Sequence, residues 1–139
     1  MFKRILLASD GSNHSFRAAE KAVTLAKGNE EAHVEVIYVI DHAISKTDAL
    51  QNLDATALKQ KRIERLASIE ALLKKEGVPY DVKLIRGEPG PTIVKYANDQ
   101  EVDLVIIGSR GLNHFQEMVL GSVSHKVAKR ASCPVMIVK

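Results

Sequence analysis

The sequence predicts an α/β protein built on an open parallel sheet of five strands, with helices covering both faces. Three observations carry the prediction. Five short apolar runs rich in Val, Ile and Leu recur along the chain, and helix-forming stretches separate them. Strands joined by helical crossovers run parallel, and the right-handedness of such crossovers places helices on both faces. Third, hydrophobic residues make up 45% of the chain and aromatic residues only 4%, with no Trp. Strands buried on both faces use Val, Ile and Leu in this way.

At 139 residues the chain reads as one domain, 1–139, large enough for a core without metals or disulfides. The formal charge is +3, but basic and acidic residues interleave, as in KQKRIERLASIEALLKKE. A mixed face of that kind is solvated helix, and no stretch carries a nucleic-acid motif, so no nucleic acid is expected as a partner. Cys133 is the one cysteine. It excludes an intrachain disulfide and reads as a small core residue before Pro134. The apolar part of FKRILLA is too short for a signal peptide and no run reaches the length of a membrane span, so the expected location is the cytoplasm, with no membrane partner.

In order, Phe2 to Ala8 forms a first strand that ends at Ser9-Asp10-Gly11-Ser12, a turn in which Ser12 or Asn13 caps the next helix. That helix turns Phe16, Ala19, Val23 and Ala26 inward and stops at Gly28. His33 to Ile40 is the second strand, with His33 exposed at its start, and Asp41-His42 belongs to the loop after it. From about Thr47 to Glu76 the chain is helix-forming. Leu50, Leu53 and Leu58 are loosely patterned in its first half, the order of residues 43–57 is left open, and Ile63, Leu66, Ile69 and Leu73 make the clear stripe. Gly77-Val78-Pro79 stops it. Tyr80 to Arg86 alternates as a half-exposed edge strand, and Gly87 to Pro91 opens a short helix through Ile93, Val94 and Ala97. The fourth strand runs from Leu104 to Ile107. Phe115, Met118 and Val119 are expected in a short helical turn, and a last helix from Ser122 turns Val123, Val127, Ala128 and Ala131 inward. Val135 to Val138 is the final strand.

The chemistry concentrates between Asp103 and Ser124, DLVIIGSRGLNHFQEMVLGSVS. Gly108 and Gly111 enclose Ser109 and Arg110, and nine intervening residues separate Gly111 from Gly121 and Ser122. Glycines let backbone N–H groups approach a ligand with no β-carbon in the way. Gly121-Ser122-Val123-Ser124 reads as a helix start, where unpaired amides and the dipole favour an anion. Two donor-rich turns held by one strand and one helix suggest a polyphosphate site. In open sheets, ligands sit beyond the carboxyl ends of the strands where the winding reverses. If the first and fourth strands are neighbours there, the Asp10 turn and the glycine turns face one crevice.

ASDGS, IYVID, GSRG followed by GSVS, and the closing CPVMIVK strongly resemble the universal stress protein family in its ATP-binding branch, over essentially the whole chain. The resemblance implies a Rossmann-like fold of the adenine nucleotide alpha hydrolase type with strand order 3-2-1-4-5. It implies ATP as ligand, with Asp10 near ribose and phosphates and within reach of a bound Mg²⁺ or Mn²⁺, and Val39 offering backbone hydrogen bonds to adenine. Gly108, Ser109, Arg110, Gly111, Leu112, Asn113 and His114 would wrap phosphates and ribose. Gly121, Ser122, Val123 and Ser124 would hold phosphates from the helix start. It also implies a homodimer through the last strand, and four consecutive apolar residues at 135–138 independently require cover if that strand is an edge.

The functional expectation is a nucleotide-dependent stress-response or signalling module with an unknown protein partner and no catalytic residue. A slow ATPase or autokinase on the same crevice is the alternative, although the chain has no Walker loop. AMP or a cyclic nucleotide is compatible with the same contacts. A nucleotide-free, chaperone-like dimer is the third reading.

Overall fold

A computed structural model describes residues 2–40, 55–110 and 121–139. The elements are β1 (Arg4–Ala8), α1 (Asn13–Lys27), β2 (His33–Ile40), α2 (Ala55–Lys75), β3 (Tyr80–Arg86), α3 (Pro89–Asp99), β4 (Leu104–Gly108), α4 (Ser122–Arg130) and β5 (Val135–Val138). They form a five-stranded sheet in the order β3-β2-β1-β4-β5, with every pair parallel. The expected topology is therefore the observed one. Asp41-His42 and the turn expected at Phe115, Met118 and Val119 lie outside the described residues.

The pleat divides the core in two. Ile5, Leu7, Val34, Val36, Tyr38, Leu104 and Ile106 point to one face and pack with residues of α1 and α2. Leu6, Ile37, Val39, Val105 and Ile107 point to the other and pack with α3 and α4. Side chains alternate across a strand, so central strands apolar at every position must be covered twice. β3 is an edge, and Leu84 on it is 53% exposed.

Helix faces differ in detail from the periodicity. α1 buries Ser15, Ala18, Ala19, Ala22, Val23 and Ala26, while Phe16 is only half-buried. Small residues face the sheet there because α1 lies close to β4. On α4 the buried residues are Ser124 and Val127, and Ala128 is exposed rather than inward. On α2, Leu66, Ile69 and Leu73 are buried but Ile63 is 48% exposed. The true stripe is 62, 66, 69, 73, which puts Arg62 where Ile63 was expected.

The amino ends of the strands carry a closed polar network. Glu35, buried in β2, accepts two hydrogen bonds from Arg4 Nη2 at 3.0 Å and one from the Tyr96 hydroxyl at 2.8 Å. Burial first, then the hydrogen bond to Glu35, pushes the Tyr96 phenol up to about 12. His33 is not simply exposed: its Nε2 lies 2.8 Å from Asp81 Oδ2. The Asp103 carboxylate accepts the amides of Lys3 and Arg4 at 2.9 Å, and these bonds hold its pKa below the usual carboxylate value.

Candidate functional site at the carboxyl ends of the strands

β1 leaves the sheet after Ser9, whose N–H donates to the Ile37 carbonyl at 3.0 Å. The Asp10 carboxylate then accepts the Ser12 N–H at 2.9 Å, an Asx turn. Gly11 has φ +85°, and a β-carbon there would lie 3.1 Å from both the Cβ and the carbonyl oxygen of Arg65 on α2. Both the left-handed backbone and the close approach of α2 require glycine. The Ser12 hydroxyl accepts the Ser15 N–H at 3.2 Å and so caps α1.

β4 ends beside this turn. Leu7 pairs with Ile106, so Asp10 and Gly108 emerge at the same end of adjacent strands. A β-carbon on Gly108 would lie 2.7 Å from His14 Cβ and 2.8 Å from the His14 carbonyl carbon. The first turn of α1 thus rests on Gly108. Ser109 is buried, donates its N–H to Val138 O at 2.7 Å, and holds its hydroxyl 3.4 Å from His14 Nδ1.

The two glycine turns close on each other through one carbonyl. Ser109 O accepts the Gly121 N–H at 2.8 Å and the Ser124 hydroxyl at 3.0 Å. The same hydroxyl lies 3.0 Å from Gly121 O. A β-carbon on Gly121 would sit 3.3 Å from Ser109 O. The helix start is therefore fastened to the end of β4. Gly121 occupies the N-cap with no side-chain cap, and the ladder begins with His125 N–H to Gly121 O at 3.0 Å. First-turn amides with no capping side chain and the positive end of the helix dipole suit an anion.

Val39 stands one strand over. The Ile37 carbonyl points toward β1 and that of Ile40 toward β3, where it accepts the Gly87 N–H. Backbone groups repeat direction every second residue, so those of Val39 face the β1 side. The last β1–β2 pair is Ala8 with Ile37, whereas β2–β3 pairing continues to Ile40 with Arg86. β2 therefore overhangs β1, and the overhang turns the Val39 backbone toward the space beyond the Asp10 turn.

Of the residues singled out in the sequence, Asp10, Val39, Gly108, Ser109, Arg110, Gly121, Ser122, Val123 and Ser124 meet at this end of the sheet; Gly111, Leu112, Asn113 and His114 lie outside the described residues. The Ser124 hydroxyl is engaged with backbone carbonyls, and the residue is buried. His14 and Arg65 were not read from the sequence as belonging here. Each is brought in by a glycine's missing side chain, a signal visible only in three dimensions. Among the described residues, no three His, Cys, Asp or Glu side chains converge as a metal site. Cys133 is half-buried, and burial pushes its thiol up, which leaves it unreactive.

A parallel sheet of order 3-2-1-4-5 with such a crevice at its reversal point is a Rossmann-like α/β protein. The chain belongs to the universal stress protein family, whose profile matches residues 1–139. It is 33% identical over 149 residues to the universal stress protein YxiE of Bacillus subtilis, covering 100% of both chains. Among solved structures it resembles protein MJ0577, with a TM-score of 0.83, 29% identity and coverage of 100% of this chain and 96% of that one; MJ0577 is a universal stress protein of Methanocaldococcus jannaschii. The fold is also that of a universal stress protein in complex with cAMP, at TM-score 0.71 and 23% identity over 99% of this chain and 96% of that one. An Arabidopsis thaliana member with AMP bound shares it at TM-score 0.69 and 19% identity over 99% and 90%.

Proposed function

We propose that the crevice between the ends of β1 and β4 binds an adenine nucleotide, with ATP the preferred ligand, and that the chain is a nucleotide-dependent stress-response or signalling module of the ATP-binding branch. The observation that carries this is the uncapped start of α4, fastened through Gly121 and Ser124 to Ser109 beside the Asp10 turn. It gives a pre-set row of amides for phosphates at one side and a free-facing stretch of β2 backbone at Val39 for the base. cAMP and AMP in two proteins of the same fold support an adenine ligand.

Asp10 supplies one carboxylate at this place, which fits a Mg²⁺ or Mn²⁺ held mainly by phosphate and water. Arg110 and residues 111–114 would complete the wrap around ribose and phosphates. The working form is a homodimer in the cytoplasm: β5 is an edge strand, and Val135, Met136 and Ile137 on it are only half-buried. No helix among the described residues is long and apolar enough to cross a membrane.

Native mass spectrometry of the purified protein, followed by calorimetric titration with ATP, AMP and cAMP, tests the reading. Retained or added ATP binding one nucleotide per protomer is expected. Absence of binding by all three ligands overturns it in favour of a nucleotide-free dimer. Steady-state phosphate release on the same sample separates binder from enzyme: slow or no turnover is expected, and rapid turnover would make the slow ATPase or autokinase reading too modest.

A further inference from the structure

α2 carries a cation where its core-facing stripe should be apolar. Leu66, Ile69 and Leu73 are all buried, and Arg62 is the next position of the same face, one turn toward the helix start. Its Nε is buried with no hydrogen-bond partner. Among the described residues, its guanidinium makes no hydrogen bond or ion pair. Arg65, by contrast, donates Nη1 to the Tyr38 hydroxyl at 3.0 Å.

The position follows from the packing of α2. The helix lies against the Asp10-Gly11 turn at Arg65, whose Cβ is 3.1 Å from where a Gly11 β-carbon would be. From there it runs down toward Pro79, whose carbonyl accepts the Val34 N–H at the amino end of the sheet. Going back one turn from Arg65 therefore moves outward by about 5 Å, past the ends of the strands. Arg62 therefore stands on the sheet-facing side of α2, one turn beyond the contact of Arg65 with the Asp10-Gly11 turn.

We propose that Arg62 is a ligand-contacting residue that takes a phosphate oxygen of the bound nucleotide from the α2 wall, opposite the amide row of α4. This rests on the nucleotide reading above and adds a side chain to it. A buried guanidinium nitrogen with no partner is costly, and an anion would complete it. Its planar fork matches phosphate oxygens in pairs, which an amide row cannot do.

The test compares wild type, Arg62→Gln, Arg62→Lys and Arg62→Met by calorimetric titration with ATP, AMP and adenosine, alongside thermal melts without ligand. In Arg62→Gln, ATP affinity should fall about ten- to a hundredfold, the range of a charge-assisted bond, with adenosine unchanged within about twofold. Arg62→Lys should recover part of the loss. Without ligand, Arg62→Met should melt at or above the wild-type temperature, because an unpaired cation has been replaced by an apolar chain of similar length. Unchanged ATP affinity, equal loss for adenosine, or a much lower melting point of Arg62→Met would each overturn the role. If wild type itself binds no nucleotide, both this and the parent reading fail; if wild type binds and the variants bind equally, only this one does.

Discussion

Gly108→Ala isolates the joint on which the candidate site is built. The added β-carbon would lie 2.7 Å from His14 Cβ, 2.8 Å from the His14 carbonyl carbon and 3.0 Å from its oxygen. Two of those three atoms are helix backbone, so no side chain can swing away to make room. Overpacking costs about 1–3 kcal/mol where neighbours yield, and the rigidity here places the expected loss at the upper end, about 3 kcal/mol. For a chain of 139 residues, each kcal/mol lowers the melting temperature by about 3–4 °C, which gives a fall of about 10 °C. Gly28→Ala is the matched control: its φ is −79° and its one near contact, Leu25 O, is at an ordinary 3.5 Å. That variant should stay within about 1 kcal/mol of wild type. Scanning calorimetry of the three proteins decides the matter. A Gly108→Ala melting point within about 2 °C of wild type would refute the claim that α1 rests on this glycine. ATP affinity should fall with stability, because displacing α1 moves the Asp10 turn relative to Ser109.

Three further outcomes follow from other joints. Gly121→Val should reduce ATP affinity by about a hundredfold or more, because a branched side chain meets Ser109 O, 3.3 Å from the β-carbon position, and pries the helix start from β4; near wild-type affinity by titration would contradict the proposed amide row. Tyr96→Phe should change stability in alkali. The phenol is raised from 10.0 to about 12 in the folded protein, so its contribution is complete below pH 10 and is lost as pH climbs toward 12. Denaturant melts should show a shallower alkaline decline in the variant, and parallel declines would rule the assignment out. Ile137→Pro should yield monomers by light scattering with the fold intact. The carbonyls of Pro134 and Val138 point to β4, so Ile137 points its N–H to the open side, where proline removes a donor without cutting the β4 ladder. An unaltered dimer would place the contact elsewhere.

The sheet was legible because its signal is redundant. β2 reads HVEVIYVI, and the structure gives His33–Ile40 as the strand; a doubly covered strand announces itself by apolar side chains at both parities. The joint glycine pattern marked Gly108 and Gly121, and the structure joins their two turns through Ser109 O. Helix phase was harder to read. Arg62 and Ile63 are adjacent, and hydrophobicity alone picks Ile63 for the core, whereas the geometry fixed by Leu66, Ile69 and Leu73 picks Arg62. Glu35 was passed over for a similar reason: a carboxylate inside an apolar strand is unremarkable until Arg4 and Tyr96 arrive from elsewhere in the chain. The reasons for two glycines also differ from the sequence argument. Gly108 and Gly121 were expected to make room for a ligand, and what their missing side chains accommodate is His14 and the Ser109 carbonyl.

The two ends of the sheet differ in a way that bears on which one is functional. At the amino ends, buried or half-buried polar groups are matched: Glu35 with Arg4 and Tyr96, His33 with Asp81, Asp103 with two backbone amides. A closed network holds strands in register and has nothing left to offer a ligand. At the carboxyl ends, the described residues include a helix start without a side-chain cap, a strand that overhangs its neighbour, and an arginine with a buried, unpartnered Nε. These features belong to three different elements, α4, β2 and α2, and of them the Arg62 Nε is buried without a partner. The contrast with the matched groups at the amino ends favours the carboxyl ends as the place for a ligand. An anionic, hydrogen-bonding ligand that engaged all three would stabilise the folded chain on binding, and would couple the positions of α2 and α4 to its presence.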